Sequence, residues 1–206
     1  MYNNMHILTR KNIMANKESL NTLGATNHSK KERSALDYYG TNPEAVKELL
    51  KREGFSHKIW EPTSGHGNIV NALKEAGHEV LATDIFDYGK QDGLIDFLEH
   101  EPTEEDSSMD IVMNPPYYDA EPFVVKALEC VGEGHKVAAF LRLLFLEGQS
   151  RYKNIFKDNP PKTIYVFSKR QVCSKTDDFT EGSAVAYCWM VWEKGSKTAP
   201  EVKWIA

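Results

Sequence analysis

The sequence predicts an α/β fold. It is read as one Rossmann-like domain with a mostly parallel sheet and helices on both faces. Three observations predict this. Short apolar runs alternate with amphipathic stretches along the chain. Glycines stand at the ends of several of those stretches. The 206 residues suffice for one such domain and are short for two.

The first 35 residues are polar and lack sustained periodicity, so 1–35 is read as a flexible basic arm with a short helix near 15–21, and 36–206 as the folded domain. PEAVKELLKREG (43–54) predicts a helix with Pro43 in its first turn and Gly54 at its end. HKIWEP (57–62) predicts a buried strand, GNIVNALKEAG (67–77) a helix closed by Gly77, and EVLATD (79–84) a strand. GLIDFL (93–98) reads as a short strand, DIVMN (110–114) as a strand and AEPFVVKALECVGEG (120–134) as a helix. KVAAFLR (136–142), TIYVFSK (163–169) and AVAYCWMVWEK (184–194) read as strands, with a helix over RYKNIFKDN (151–159). The last strand follows its predecessor without a helix, which predicts that it runs antiparallel. Ligands bind such sheets at the carboxyl ends of the strands. EPTSGHGN, TDIFDYG, NPPY, RLLFLEGQSR and KRQVCSKTDDFTEGS all follow strands and should gather on one rim.

Hydrophobic residues make up 41% and charged residues 27%, the balance of a soluble globular chain. No apolar run approaches bilayer length and no secretory signal is read, so no membrane partner is expected. Cys130, Cys173 and Cys188 fit neither a zinc pattern nor a disulfide framework, which predicts no metal and a reducing, cytoplasmic home. The net charge of −5 argues against a general nucleic-acid coat. The charge is segregated, however. Residues 1–35 carry a net +4, and 142–175 hold eight Lys/Arg against Glu147 and Asp158. Arg142, Gln149, Arg151, Lys169, Arg170 and Lys175 fall on the expected rim and are candidate phosphate contacts. A solvated surface explains them about as well. Trp60, Trp189, Trp192, Tyr152 and Phe156 are assigned to the core.

Two motifs carry chemistry. In Glu61-Pro62-Thr63-Ser64-Gly65-His66-Gly67-Asn68, Gly65 and Gly67 permit a tight turn and a close backbone approach to a ligand. Glu61 suits a cationic amino group. The third glycine of a dinucleotide fingerprint is replaced by Val70, which demotes a nicotinamide enzyme. Asp84 ends the next strand, where an acid accepts ribose hydroxyls. Asp96 and Phe97 suit an adenine amino group and ring, although each acid also suits a plain capping role.

The second motif is Asn114-Pro115-Pro116-Tyr117, delivered by a strand. The prolines fix φ and remove two backbone donors, leaving a stiff notch rich in acceptors. An aryl amine is a poor nucleophile because its lone pair is delocalised. Asn114 Oδ1 and the Pro115 carbonyl would accept its two N–H groups and turn the lone pair toward an electrophilic methyl, with Tyr117 stacked on the ring. A simple Asn-Pro turn explains the first two residues but not the aromatic behind a buried strand.

These motifs together resemble the small class I S-adenosylmethionine-dependent methyltransferases of the N6-adenine DNA type, including minimal phage and prophage forms. The likeness runs from about Asp37 to the C-terminus. It implies a seven-stranded sheet with one antiparallel strand, S-adenosylmethionine as cofactor, and DNA as substrate. It implies that DYYGTNPEAV (37–46), through Tyr39 and Thr41, touches the methionine part of the cofactor. It implies cofactor roles for Glu61, Pro62, Gly65, Gly67, Asp84, Ile85, Asp96, Phe97 and Asn114, and catalytic roles for Asn114, Pro115, Pro116 and Tyr117. The quartet also occurs in enzymes that methylate RNA guanine or protein glutamine, so RNA and protein acceptors stay open, as does a catalytically silent cofactor-binding subunit. The chain after Tyr117 is too short for a separate recognition domain. A local element, a homodimer or a separate recognition subunit would have to supply recognition.

Overall fold

The computed structural model describes residues 38–180 and 183–206. The expected basic arm, its helix at 15–21 and Asp37 lie outside the described residues.

The elements follow the order β1 (Gly40–Thr41), α1 (Pro43–Leu50), β2 (Lys58–Glu61), α2 (Asn68–Glu75), β3 (Glu79–Asp84) and β4 (Gly93–Leu94). Then come β5 (Asp110–Met113), α3 (Ala120–Cys130), β6 (Lys136–Arg142), a 3₁₀ turn (Leu143–Leu146) and α4 (Gln149–Arg151), which continues as a π turn (Tyr152–Phe156). β7 (Thr163–Phe167), β8 (Cys173–Ser174), β9 (Tyr187–Glu193) and β10 (Glu201–Ile205) complete the chain. The main sheet has eight strands in the order β10-β7-β9-β6-β5-β2-β3-β4. Only β9 runs against its neighbours, pairing antiparallel with β6 and β7, while every other pair is parallel.

The architecture is the expected one, with two corrections. The sheet has eight strands rather than seven, because a tight turn after β9 returns the chain as β10 beside β7. EVKWI is mostly exposed and too polar to read as a buried strand. A second, two-stranded sheet pairs Gly40 with Ser174 and Thr41 with Cys173, a contact across most of the chain that local pattern does not encode.

Local chemistry explains the elements that flank the site. Asn42 caps α1 by accepting from Glu44 N, and Pro43 starts it at no hydrogen-bond cost. Gly77 (φ 92°) takes the left-handed position that ends α2. Period-two alternation then divides the strands between two cores. On β6, Ala138 and Phe140 face α1 and α2, while Val137, Ala139 and Leu141 face α3. On β9, Trp189 and Val191 face the first side, and Cys188, Met190 and Trp192 the second. The three buried tryptophans also satisfy their indole N–H groups, Trp60 on Thr83 Oγ1, Trp189 on Ala45 O and Trp192 on Asn159 O. Tyr152 departs from its core assignment and is 58% exposed. Among the described residues, no helix is long and apolar enough to cross a membrane.

Phe140 stacks on Tyr187 and meets Trp189 edge-on with no exposure. Phe140→Ala is expected to cost about 3–5 kcal/mol in urea denaturation. A loss below 1 kcal/mol would contradict this view of the core.

Candidate active site

The carboxyl ends of β2, β3, β5 and β6 and the segment 38–41 converge as expected on one rim. A cavity of about 250 Å3 opens there. Of the residues expected at a cofactor site, Tyr39, Thr41, Glu61, Pro62, Asp84, Ile85, Asp96, Phe97 and Asn114 line it, together with Pro116 of the quartet. Gly65 and Gly67 do not line it. Both have positive φ, 48° and 85°, but the close approach at Gly65 is to protein. A Cβ there would lie 2.3 Å from the Tyr38 ring. The glycine turn is therefore packed against the segment that precedes β1.

Three buried polar atoms have no hydrogen-bond partner among the described residues: Thr41 Oγ1, Glu61 Oε2 and Asn114 Oδ1. All three residues line this one cavity. Glu61 is 1% exposed, and its other oxygen accepts from Thr63 N and Oγ1. Burial pushes its carboxyl up to about 8, and the Thr63 bonds offset this only in part. Asn114 Nδ2 donates to Tyr39 O at 2.7 Å, which fixes the amide so that Oδ1 is the unused acceptor.

The two expected acids are both engaged by backbone N–H groups. Asp84 accepts from Gly65 N (2.9 Å) and Phe86 N (3.1 Å) and so ties β3 to the glycine turn. Burial nonetheless holds its carboxyl above the ordinary range. Asp96 is exposed and accepts from Leu98 N. Phe97 is 2% exposed and packs edge-on against Trp60, so only part of its ring reaches the cavity wall. Phe86 and Ile95 add apolar wall that the sequence reading missed, since TDIFDYG shows no periodicity that marks which side chains turn inward.

A second cavity of about 160 Å3 lies beside the first and is lined by Tyr117, Ala120, Leu141, Arg142, Leu144, Phe145 and Arg151. The quartet thus contributes to both hollows: Asn114 and Pro116 to the larger, Tyr117 to the smaller. Pro115 is buried and lines neither. Tyr117 donates to Cys173 Sγ at 3.0 Å, and the Arg142 guanidinium sits 4.6 Å from its ring centroid. Burial raises both the Tyr117 hydroxyl and the Cys173 thiol, the latter to about 11.

The candidate phosphate contacts do not form one uniform surface. Arg142, Lys169 and Arg170 are exposed at the rim. Lys175 lies over the Tyr39 ring at 5.2 Å. Arg151 is a correction to the sequence reading: its Nε donates to Phe145 O and a terminal nitrogen to Glu147 O, so it braces the turn after β6. Among the described residues, one His/Asp/Cys group is close enough to share a metal, namely His100, Asp106 and Cys130. There Asp106 Oδ2 already accepts from Thr103 N and lies 2.7 Å from His100 Nε2.

No protein-family model matches this chain, and no curated protein matches it in sequence. Solved structures do match in fold. One is described as a modification subunit of a type I restriction enzyme from Vibrio vulnificus, with 12% identity and a TM-score of 0.59 over all of this chain and 53% of the other. A protein described as an O-methyltransferase from Agrobacterium tumefaciens matches at 12% identity and a TM-score of 0.56, over 79% and 85% of the two chains. A TehB-like SAM-dependent methyltransferase from Corynebacterium glutamicum matches at 14% and 0.50, over 91% and 95%. The chain spans about half the length of the restriction subunit. At these identities the likeness establishes the fold, which is the Rossmann-like class I methyltransferase fold.

Glu61 yields a test of the cavity as described. Its folded-state value of about 8 exceeds the ordinary 4.5, so between these pH values the folded protein keeps a proton that the unfolded chain has lost. Its contribution to stability is complete below the lower value and fades as pH rises toward the upper one. The melting temperature of Glu61→Gln should therefore gain on wild type steadily from about pH 5 to about 8. A constant difference across that range would refute the buried, protonated carboxyl.

Proposed function

We propose that this chain transfers a methyl group from S-adenosylmethionine to an exocyclic amino nitrogen, and that the acceptor is N6 of adenine in DNA. The observation that supports the reading is that Asn114 and Pro116 line the larger hollow and Tyr117 the smaller, with Asn114 Oδ1 buried and unpaired among the described residues.

The residues of the larger cavity fit this cofactor. Glu61 Oε2 is a buried acceptor that lacks a donor, and an ammonium group at the methionine end would supply one. Thr41 Oγ1 stands ready for the same end. Asp84 retains lone pairs for ribose hydroxyls, since each of its oxygens accepts one backbone N–H. Ile85, Phe86, Ile95 and Phe97 offer apolar wall to an adenine ring, with Asp96 at its edge. The fold neighbours named as methyltransferases are consistent with this use of the cavity.

S-adenosylmethionine supplies an electrophilic methyl on a sulfonium. The chain supplies orientation and directed polarity. Asn114 Oδ1 accepts one N–H of the acceptor amine; the Pro115 carbonyl, which lines neither hollow in this structure, would have to turn toward the site to accept the other. The nitrogen leaves the plane of its ring and its lone pair becomes available. Pro116 O is already engaged, accepting from Asp119 N, which stiffens the turn. Tyr117 flanks the acceptor ring from the smaller hollow, whose Arg142 shares that tyrosine's face. Bound S-adenosylmethionine would supply a methyl whose C–S bond breaks as the new C–N bond forms, and the amine's surplus proton would pass to solvent.

Nucleic acid as acceptor draws on Arg142, Lys169, Arg170 and Lys175 at the same rim. Phosphate contact there would place a strand over the smaller hollow. Fold neighbours described as a modification subunit of a type I restriction enzyme and as an RNA methyltransferase both accord with a nucleic-acid acceptor, of which DNA is the one proposed here.

Tritiated-methyl transfer should be measured on duplex DNA, single-stranded DNA, RNA and protein, followed by nucleoside mass spectrometry. N6-methyladenine in DNA is the expected product. Asn114→Ala should lower turnover by about 10²-fold or more while cofactor affinity stays near wild type. Asp84→Ala should act chiefly on cofactor affinity. Full turnover in Asn114→Ala would overturn the mechanism, and label in RNA or protein alone would replace the acceptor. Arg170→Glu should weaken DNA binding and reduce its salt dependence. Unchanged affinity would remove that loop from the interface.

A further inference from the structure

The loop after β7 was read from sequence as a basic, phosphate-facing segment, yet its most connected residue is an acid. Asp177 has φ 59°, a left-handed conformation that disfavours residues with a side chain. Its carboxylate holds it there. Oδ1 accepts from Tyr38 Oη and from Asn68 Nδ2, both at 2.6 Å, and Oδ2 lies 2.7 Å from His66 Nδ1. These partners belong to two separate parts of the site. Tyr38 precedes β1, while His66 and Asn68 belong to the glycine turn and the first position of α2. One carboxylate therefore joins three segments that are remote in sequence.

The surrounding packing is built to this junction. A Cβ at Gly40 would lie 2.1 Å from Asp177 Oδ1, 2.6 Å from Asn68 Nδ2 and 2.7 Å from Tyr38 Oη. A side chain at 40 would thus displace the junction's own polar groups. The Tyr38 ring lies 4.3 Å from that of His66, and β1 pairs with β8 a few residues before Asp177. Burial pushes the Asp177 carboxyl up, but the three side-chain partners together outweigh burial and hold it below the ordinary range.

The clamped segment faces the chemistry. Tyr38, Tyr39, Gly40 and Thr41 all line the larger cavity, and Tyr39 O is the acceptor that orients the Asn114 amide. We propose that Asp177 is a positioning residue for methyl transfer, clamping residues 38–41 over the cofactor cavity so that opening of this junction sets how fast the adenosyl ligand leaves. The inference rests on the reading of that cavity as the S-adenosylmethionine site. Asp177 touches neither the acceptor amine nor the transferred methyl; it acts through Tyr38 and the backbone that follows.

The test uses the full chain as wild type, Asp177→Ala, Asp177→Asn and Tyr38→Phe. Amide hydrogen exchange without ligand reads the clamp directly. Stopped-flow displacement of S-adenosylhomocysteine reads its consequence. In Asp177→Ala, exchange across 40–41 and 173–174 and the dissociation rate should each rise about tenfold or more, because hydrogen bonds to a charged group are lost. The KM for the cofactor should rise while that for the acceptor holds. In Asp177→Asn, Oδ1 still accepts from Tyr38 and Asn68, so most of the loss should be recovered, with Tyr38→Phe intermediate. Melting should shift little, since Asp177 belongs to neither hydrophobic cluster. Wild-type exchange at 40–41 in Asp177→Ala, or ligand release at the wild-type rate, overturns the clamp. A wild-type protein that binds no adenosyl ligand overturns the cofactor reading instead, and the exchange measurement then decides the clamp alone.

Discussion

Three buried oxygens without donors, on Thr41, Glu61 and Asn114, share one hollow at the carboxyl rim of the sheet. Each such group costs about 1–3 kcal/mol if nothing completes it. Folding tolerates the cost because the two cores are well filled. This concentration of unmet acceptors is the constraint to which the rest of the molecule answers. Within it Asn114 is pinned from one side only, and burial raises the Glu61 carboxyl.

The antiparallel strand β9 makes the rim complete. A parallel successor to β7 would need a long crossover over a face of the sheet. Because β9 instead runs back from the carboxyl ends, residues 168–180 lie at the rim and reach both hollows. Cys173 meets Tyr117, Lys175 meets Tyr39, and Asp177 meets the glycine turn. The loop is therefore less a free basic surface than a brace, with Arg170 and Lys169 left exposed beyond it. Arg151 follows the same logic after β6, where its guanidinium serves two backbone carbonyls.

At the glycines the turn geometry is the expected one, but the close neighbour is not a ligand. Gly65 and Gly67 do allow a tight turn, as their positive φ angles require. The close neighbour that forbids a side chain at Gly65 is nevertheless Tyr38, a residue of this chain. Asp84 is similar. Its position at the end of β3 suits a ribose, and two of its lone pairs also hold the backbone of the turn in place.

The sequence by itself determined the succession of most strands and helices, the reversal of β9, and part of the larger cavity's lining, namely Glu61, Pro62, Asp84, Ile85, Asp96, Phe97 and Asn114, but not Phe86 or Ile95. These follow from short-range physics: period-two and period-3.6 burial, glycine and proline geometry, and the rule that loops after parallel strands share a rim. Tertiary structure alone decided the rest. The pairing of β1 with β8, the carboxylate of Asp177 between Tyr38, His66 and Asn68, and the edge strand β10 depend on contacts between segments far apart in the chain. Such contacts leave no local period or spacing, because a hydrogen bond between remote residues constrains their positions in space and not their separation in sequence.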